Sequence, residues 1–187
     1  MTRRTVIAIL ITAALLGGAF LVRATQPTDE QQLGPFVTTA QIGQQVAGRD
    51  LVFTASDVYL ADRVTTADWI GETEGIWLVV DATIGSKLGI ASPEAALTIG
   101  DLRYRASDRP DSAALGGSLD PGLPQSGSFV FELPLSAIEG PDASHARARF
   151  ATSFEVRLDS AIDIVLDLTQ LRHEKTATLQ EPGLVLP

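Results

Sequence analysis

Two histidines, no cysteine and 23 acidic residues are the raw material for chemistry in this 187-residue chain. His145 and His173 lie in segments of loop or tail composition. Neither sits in a motif that supplies the serine and the orienting carboxylate of a nucleophilic triad. Gly85-Ser-Lys-Leu-Gly89 is not a nucleophile elbow, because the serine stands one place too early. Without cysteine there are no disulfides, thiolate metal sites or cysteine nucleophiles, and two separated histidines make a poor zinc site. Asp159, Asp163 and Asp167 recur every four residues, the spacing of one helix face. They fall instead on a turn and a strand, where Asp163 and Asp167 share the polar face. Calcium needs about six to eight oxygens from a dedicated loop, which is missing, and Asp108, Asp111 and Asp120 only bracket a flexible one. No glycine-rich loop of phosphate-binding type follows a strand. The expectation is a chain with no catalytic residue, no cofactor and no metal ligand.

Recognition is the chemistry that remains. Trp69 and Ile70 stand in TTADWIGETEG, and Asp108, Arg109 and Asp111 in SDRPD. Both stretches read as loops, Thr65–Gly75 and Ser107–Pro124, and function on rigid scaffolds concentrates in loops. An exposed tryptophan there is a natural contact residue; the alternative is a lid packed on the end of the domain. Those five residues are the candidate partner-binding set.

The elements that must position them read as short alternating runs separated by turns, the grammar of an antiparallel β-sandwich. In Leu51–Leu60, Leu51 and Phe53 share one parity while Val58 and Leu60 have the other. A bulge near Ala55–Ser56 would restore the phase; the alternative is that both faces are partly covered. Ile76–Ile84 is a central strand, with Trp77 and Val79 making its second face apolar at the start. Ala95–Arg105 is a hairpin about Gly100-Asp101, pairing Ile99 with Leu102 and Leu97 with Tyr104, with Thr98 opposite Arg103. In SLDPGLPQSGSFVFELP, Asp120-Pro-Gly122 makes a turn, Phe129, Phe131 and Leu133 face the core, and Pro134 ends the strand. A last pair of strands, Ser153–Leu158 and Ala161–Leu168, joins at Asp159-Ser160. Residues 172–187 read as an edge segment or loose tail.

The N-terminus fixes an address. Arg3 and Arg4 precede an uncharged run from Thr5 to Val22, closed by Arg23. Eighteen such residues make a helix of about 27 Å, near the hydrocarbon thickness. The flanking arginines predict the N-terminus inside and the remainder exported. The expected organisation is a cytoplasmic N-terminus (1–4), a transmembrane signal-anchor helix (5–23), a flexible stalk (24–37) with two prolines, a sandwich (38–171) and the tail (172–187). The alternative is a signal peptide cleaved after Ala24, which releases a soluble carrier of a small ligand or cation. Three of the 14 basic residues belong to the N-terminal segment and all 23 acidic ones follow it, so the exported part is near −12. That sign disfavours nucleic acid as a partner. It leaves the membrane, through the helix, and an envelope or membrane protein as the expected partners.

The order of these pieces also resembles a known family. Ile42-Gly43 with Val46-Ala-Gly48, Trp77-Leu-Val-Val-Asp81-Ala-Thr83, Asp101-Leu-Arg-Tyr104 and Leu119-Asp-Pro121-Gly122 leading to Gly127-Ser-Phe129-Val-Phe131-Glu132-Leu-Pro134 are similar to the DUF4352 group of bacterial exported immunoglobulin-like domains. That group is related in fold to a mycobacterial secreted antigen sandwich. The similarity spans about residues 38–170. It implies an exported immunoglobulin-like sandwich, often tethered, with no established catalytic residues. Gly85-Ser86 stands where members often carry asparagine, a departure in the turn after the central strand.

Overall fold

The computed structural model describes residues 3–27, 32–110 and 114–185. The chain divides into two units, Met1–Gly34 and Pro35–Pro187. In the first, a 23-residue helix α1 (Arg3–Thr25) is long and apolar enough to cross a membrane. The helix runs through Ala24 and Thr25, where the Thr25 hydroxyl donates to the Leu21 carbonyl, so these residues are not the start of a stalk.

The second unit is a β-sandwich. One sheet contains β1 (Phe36–Ala40), β5 (Glu94–Ile99), β6 (Leu102–Arg105), β8 (Ala146–Ala151) and β9 (Ser160–Leu166), in the order β1-β9-β8-β5-β6. The other is built on β3 (Leu51–Thr65), β4 (Ile70–Ser86) and β7 (Gln125–Leu133), with the two-residue strands β2 (Val46–Ala47), β10 (His173–Glu174), β11 (Ala177–Thr178) and β12 (Gly183–Leu184) attached. Between the sheets lies one large apolar core that includes Phe53, Leu78, Leu97, Phe129, Phe131, Phe150 and Ile162. Phe53 stacks on Phe150 with centroids 4.1 Å apart.

The two-sheet sandwich matches the expected fold class, but its sheets are not wholly antiparallel. β1 lies parallel to β9, and β10 and β11 lie parallel to β3. Phe36 and Val37 pair with Ser160 and Ala161, so the sandwich begins inside the segment read as stalk. These pairings join segments distant in sequence, and no local turn signal announces them.

The local readings fare better. The register of β3 against β4 shifts between Ala55 and Asp57. Leu51, Phe53, Val58 and Leu60 consequently all reach the same core. The β5–β6 hairpin has the expected register, with Gly100 at φ 56° in its turn. Phe129, Phe131 and Leu133 are buried, and Gly122 takes φ 76° in the turn before them.

One reading is corrected. Ser153–Leu158 is not a strand: the strand is Ala146–Ala151, and residues 152–159 are the loop that leads to β9. Phe154 and Val156 alternate as a strand would, but Phe154 lies against the guanidinium groups of Arg103 and Arg105, at 3.8 and 3.9 Å. Of the two readings of residues 172–187, the edge segment is the one found. It pairs with β3 at one edge of its sheet and with β7 at the other. Along the way Leu179 donates to the Thr65 carbonyl and Gln180 to the Ser128 hydroxyl. Ala177 and Leu179 thereby cover Tyr59, Trp77, Val79 and Val130, a second and smaller core on the outer face of that sheet.

Candidate functional site

The β3–β4 hairpin runs to a turn at residues 66–69. Thr66 closes it: its amide donates to the Trp69 carbonyl at 2.9 Å and its hydroxyl accepts from the Trp69 amide at 3.0 Å. Ile70 to Gly75 therefore belongs largely to β4 and is not loop. The hairpin is irregular beyond this turn. Arg63 pairs with Glu72 while Ala61 pairs with Trp77, so β4 carries several extra residues opposite Asp62. Gly75 lies in this wide bulge against β7, where a Cβ would come within 1.9 Å of the Leu133 carbonyl oxygen. Only glycine fits that approach.

Trp69 folds back from the turn. Its ring meets Trp77 edge-on, with centroids 6.1 Å apart and an interplanar angle of 85°. It lies so close to Gly71 that a Cβ there would be 2.2 Å from the ring. Trp69 is half-buried, in the lid role, whereas Ile70 beside it is 62% exposed. Trp77 is fully buried, and its indole N–H has no hydrogen-bond partner among the described residues.

Arg109 joins the second loop to the first. Its guanidinium donates to Glu132 at 2.8 Å and to the Glu72 carbonyl at 3.2 Å. It stands 5.7 Å from the Trp69 ring centroid and 5.3 Å from that of Trp77, within cation–π range. Burial alone would push the Glu132 carboxyl up; hydrogen bonds from Thr73 and Arg109, with the Arg109 charge, outweigh it and hold the group below its usual range. The structure therefore brings Trp69, Ile70 and Arg109 together. Asp108 is exposed and lines a separate small groove with Ser107 and Leu115. Asp111 lies outside the described residues.

Neither histidine has both a serine and a carboxylate within hydrogen-bond distance among the described residues. His145 touches Ser144 at 2.7 Å and His173 touches Asp62 at 2.7 Å. No group of three or more potential metal ligands occurs among the described residues. Asp163 is not a solvated carboxylate: it is buried and held by Arg149 through two bonds of 2.8 Å. Asp167 caps the turn Leu168–Gln170 by accepting from the Thr169 amide.

Two polar clusters escaped the sequence reading. On the outer face of the β3–β4–β7 sheet the bulge places Asp57 opposite Asp81. Ser128 donates to Asp81 at 2.6 Å, and Arg172 from the tail pairs with Asp57 and Glu174, both at 3.0 Å. Burial first, then the nearby Asp57 charge, pushes the Asp81 carboxyl up. Burial and the surrounding carboxylates push the Tyr59 phenol up as well. The second cluster is a set of arginines on the outer face of the five-stranded sheet. The alternation ARARFA in β8 and LRYR in β6 carried that signal, since it sends every second residue to one face.

No protein-family model and no curated protein matches this chain. Solved structures with a similar fold do match. An uncharacterized β-sandwich protein from Clostridium difficile is 12% identical, covers 75% of this chain and 99% of its own, and gives a TM-score of 0.45. A secreted protein from Mycobacterium tuberculosis is 16% identical over 70% of this chain and 98% of its own, with a TM-score of 0.44. The YjhA protein of Bacillus subtilis is 14% identical over 66% of this chain and 98% of its own, with a TM-score of 0.45.

Proposed function

We propose that the chain is a non-catalytic interaction module of the bacterial cell envelope, anchored by α1 with its sandwich on the extracytoplasmic side and belonging with the DUF4352-like exported domains its motifs resemble. The observation that carries this reading is the pairing of a 23-residue helix, which opens with Arg3 and Arg4 and continues as an apolar run, with a separate sandwich unit. The arginines favour the N-terminus inside. Anchoring confines the sandwich near other membrane proteins and raises its effective concentration towards them.

The contact surface is the end of the β3–β4 hairpin. Arg109 clamps the two loops, Trp69 is backed by Trp77, and Ile70 is left exposed. An apolar side chain beside a braced aromatic and an arginine is the composition of a protein-contact centre. A photo-crosslinking residue at Ile70, in intact cells, tests the reading. A discrete membrane-protein adduct is expected, lost in the W69A/R109A chain while a crosslinker at Thr98 gives none. The same adduct pattern at both positions, or no effect of the double substitution, contradicts it.

A further inference from the structure

The outer face of the five-stranded sheet has the opposite charge to the rest of the sandwich. Core residues alternate with outward ones, so Arg147 and Arg149 of β8 and Arg103 and Arg105 of β6 point away from the core on one face. The registers align them in two rows: Arg149, Ala96 and Arg105 across β8, β5 and β6, and Arg147, Thr98 and Arg103 beside them. Neighbouring strands are about 4.8 Å apart, so each row holds two arginines about 10 Å apart with a small residue between. Glu94, Glu155 and Asp163 oppose them on this face, and exposed Asp167 follows Val165 in the same alternation. Asp163 is committed to Arg149, and Glu155 to Arg103 at 3.3 Å. Arg105 stacks on Phe154 and has no ion pair among the described residues, and Arg147 reaches Asp163 only at 3.8 Å. Arg157, in the loop over this face, is exposed.

Apolar side chains flank the arginines. Val165 and Val37 lie outward on β9 and β1 and are exposed. Phe36 and Leu158, both exposed, line an open groove of about 290 Å³ at the edge where β1 begins, where Phe36 has the alternation of Thr38 and Ala40, opposite to Val37. Leu158 sits there at φ 51°, a left-handed conformation that costs a residue of its type. Residues 26–35 alone separate the end of α1 from β1, which lies at the edge of this same sheet. Fully extended they reach at most about 35 Å.

We infer that this face, Arg103, Arg105, Arg147 and Arg157 with Val37 and Val165, rests on the anionic lipid surface in which the chain is anchored. The inference rests on the anchored reading above. Arginines meet lipid phosphates, the apolar rim enters the headgroup layer, and the acidic remainder of the sandwich is repelled and turned outward. Tethering supplies the proximity, and the charge asymmetry supplies the orientation.

The lack of cysteine allows a clean test on the full chain. A short-range fluorophore is placed at Thr39→Cys, outward on β1, or at Gln180→Cys, on the tail that covers the opposite sheet. Each chain is reconstituted in vesicles containing a headgroup-quenching lipid. In phosphatidylglycerol-rich vesicles, Thr39 is expected to be quenched much more than Gln180. The difference should vanish in pure phosphatidylcholine, and at about 1 M salt, where the Debye length is about 3 Å. The R105E/R147E chain should lower the docked fraction's equilibrium by about tenfold or more; the salt series reads the same contact without any substitution. Equal quenching at both positions in a chain that floats with the vesicles overturns the docking and leaves the anchor standing. A chain that does not float with them overturns both. Equal quenching together with tight binding of inorganic polyphosphate assigns the face to a soluble polyanion instead.

Discussion

Asp81 and Glu132 show how single residues on one sheet can respond to pH in opposite senses. Asp81 is held above the usual carboxylate range by burial and by the Asp57 charge across the strand pair. The folded state therefore binds that proton more tightly than the unfolded chain, and stability falls as pH rises through the raised value. Asp81→Asn keeps an acceptor for Ser128 and removes the charge. The variant is expected to resist urea better than the parent at pH 7, with the advantage shrinking as pH falls towards 4; an advantage that grows on acidification contradicts the assignment. Glu132 runs the other way. Its folded value is depressed, so its contribution is present above the unfolded value and is lost as pH falls. Gly71 acts through space alone. The Gly71→Ala methyl would overlap the Trp69 ring, so Trp69 must leave Trp77, and tryptophan emission should shift to the red. An unchanged spectrum would show that Trp69 does not pack as described.

Elements differ in how much of themselves they disclose. The β5–β6 hairpin was legible because a two-residue turn and a period-two pattern fix a register between neighbours in sequence. The Ala55–Asp57 bulge was legible because Val58 and Leu60 change parity, and only an extra residue lets one core take both sets. β8 was not legible, because Ala146 and Ala148 carry little hydrophobic signal although both are fully buried. Phe154 and Val156 gave a stronger pattern in the wrong place, and Phe154 packs on the guanidinium groups of Arg103 and Arg105 and not in the core. Of the candidate site, the convergence of Trp69 with Arg109 followed from two loops at one end of a sandwich. The bracing by Glu132 and Trp77 did not, since it depends on β4–β7 register. The tail hid its role because its strands are two residues long and pair non-locally. Its weight in the fold can be measured. Leu179 is buried in the small outer core, and Leu179→Ala should lower unfolding stability by about 2–4 kcal/mol in urea denaturation followed by tryptophan fluorescence. A loss under about 0.5 kcal/mol, the scale of ordinary surface substitutions, would mean the tail is not part of the folded unit.

The whole molecule pairs an apolar helix with an acidic sandwich that carries one basic face. The helix makes sense of the sandwich if it stays attached: the arginine face then has a surface to meet, and the hairpin end has neighbours to contact. A cleaved chain would keep the same sandwich and lose both arrangements. The most direct test is fractionation of cells expressing the native protein, with intact mass of the recovered chain and protease added from outside. The account predicts a full-length chain in the membrane fraction, trimmed from outside to the neighbourhood of residue 25. A soluble chain beginning at Thr25 would contradict it.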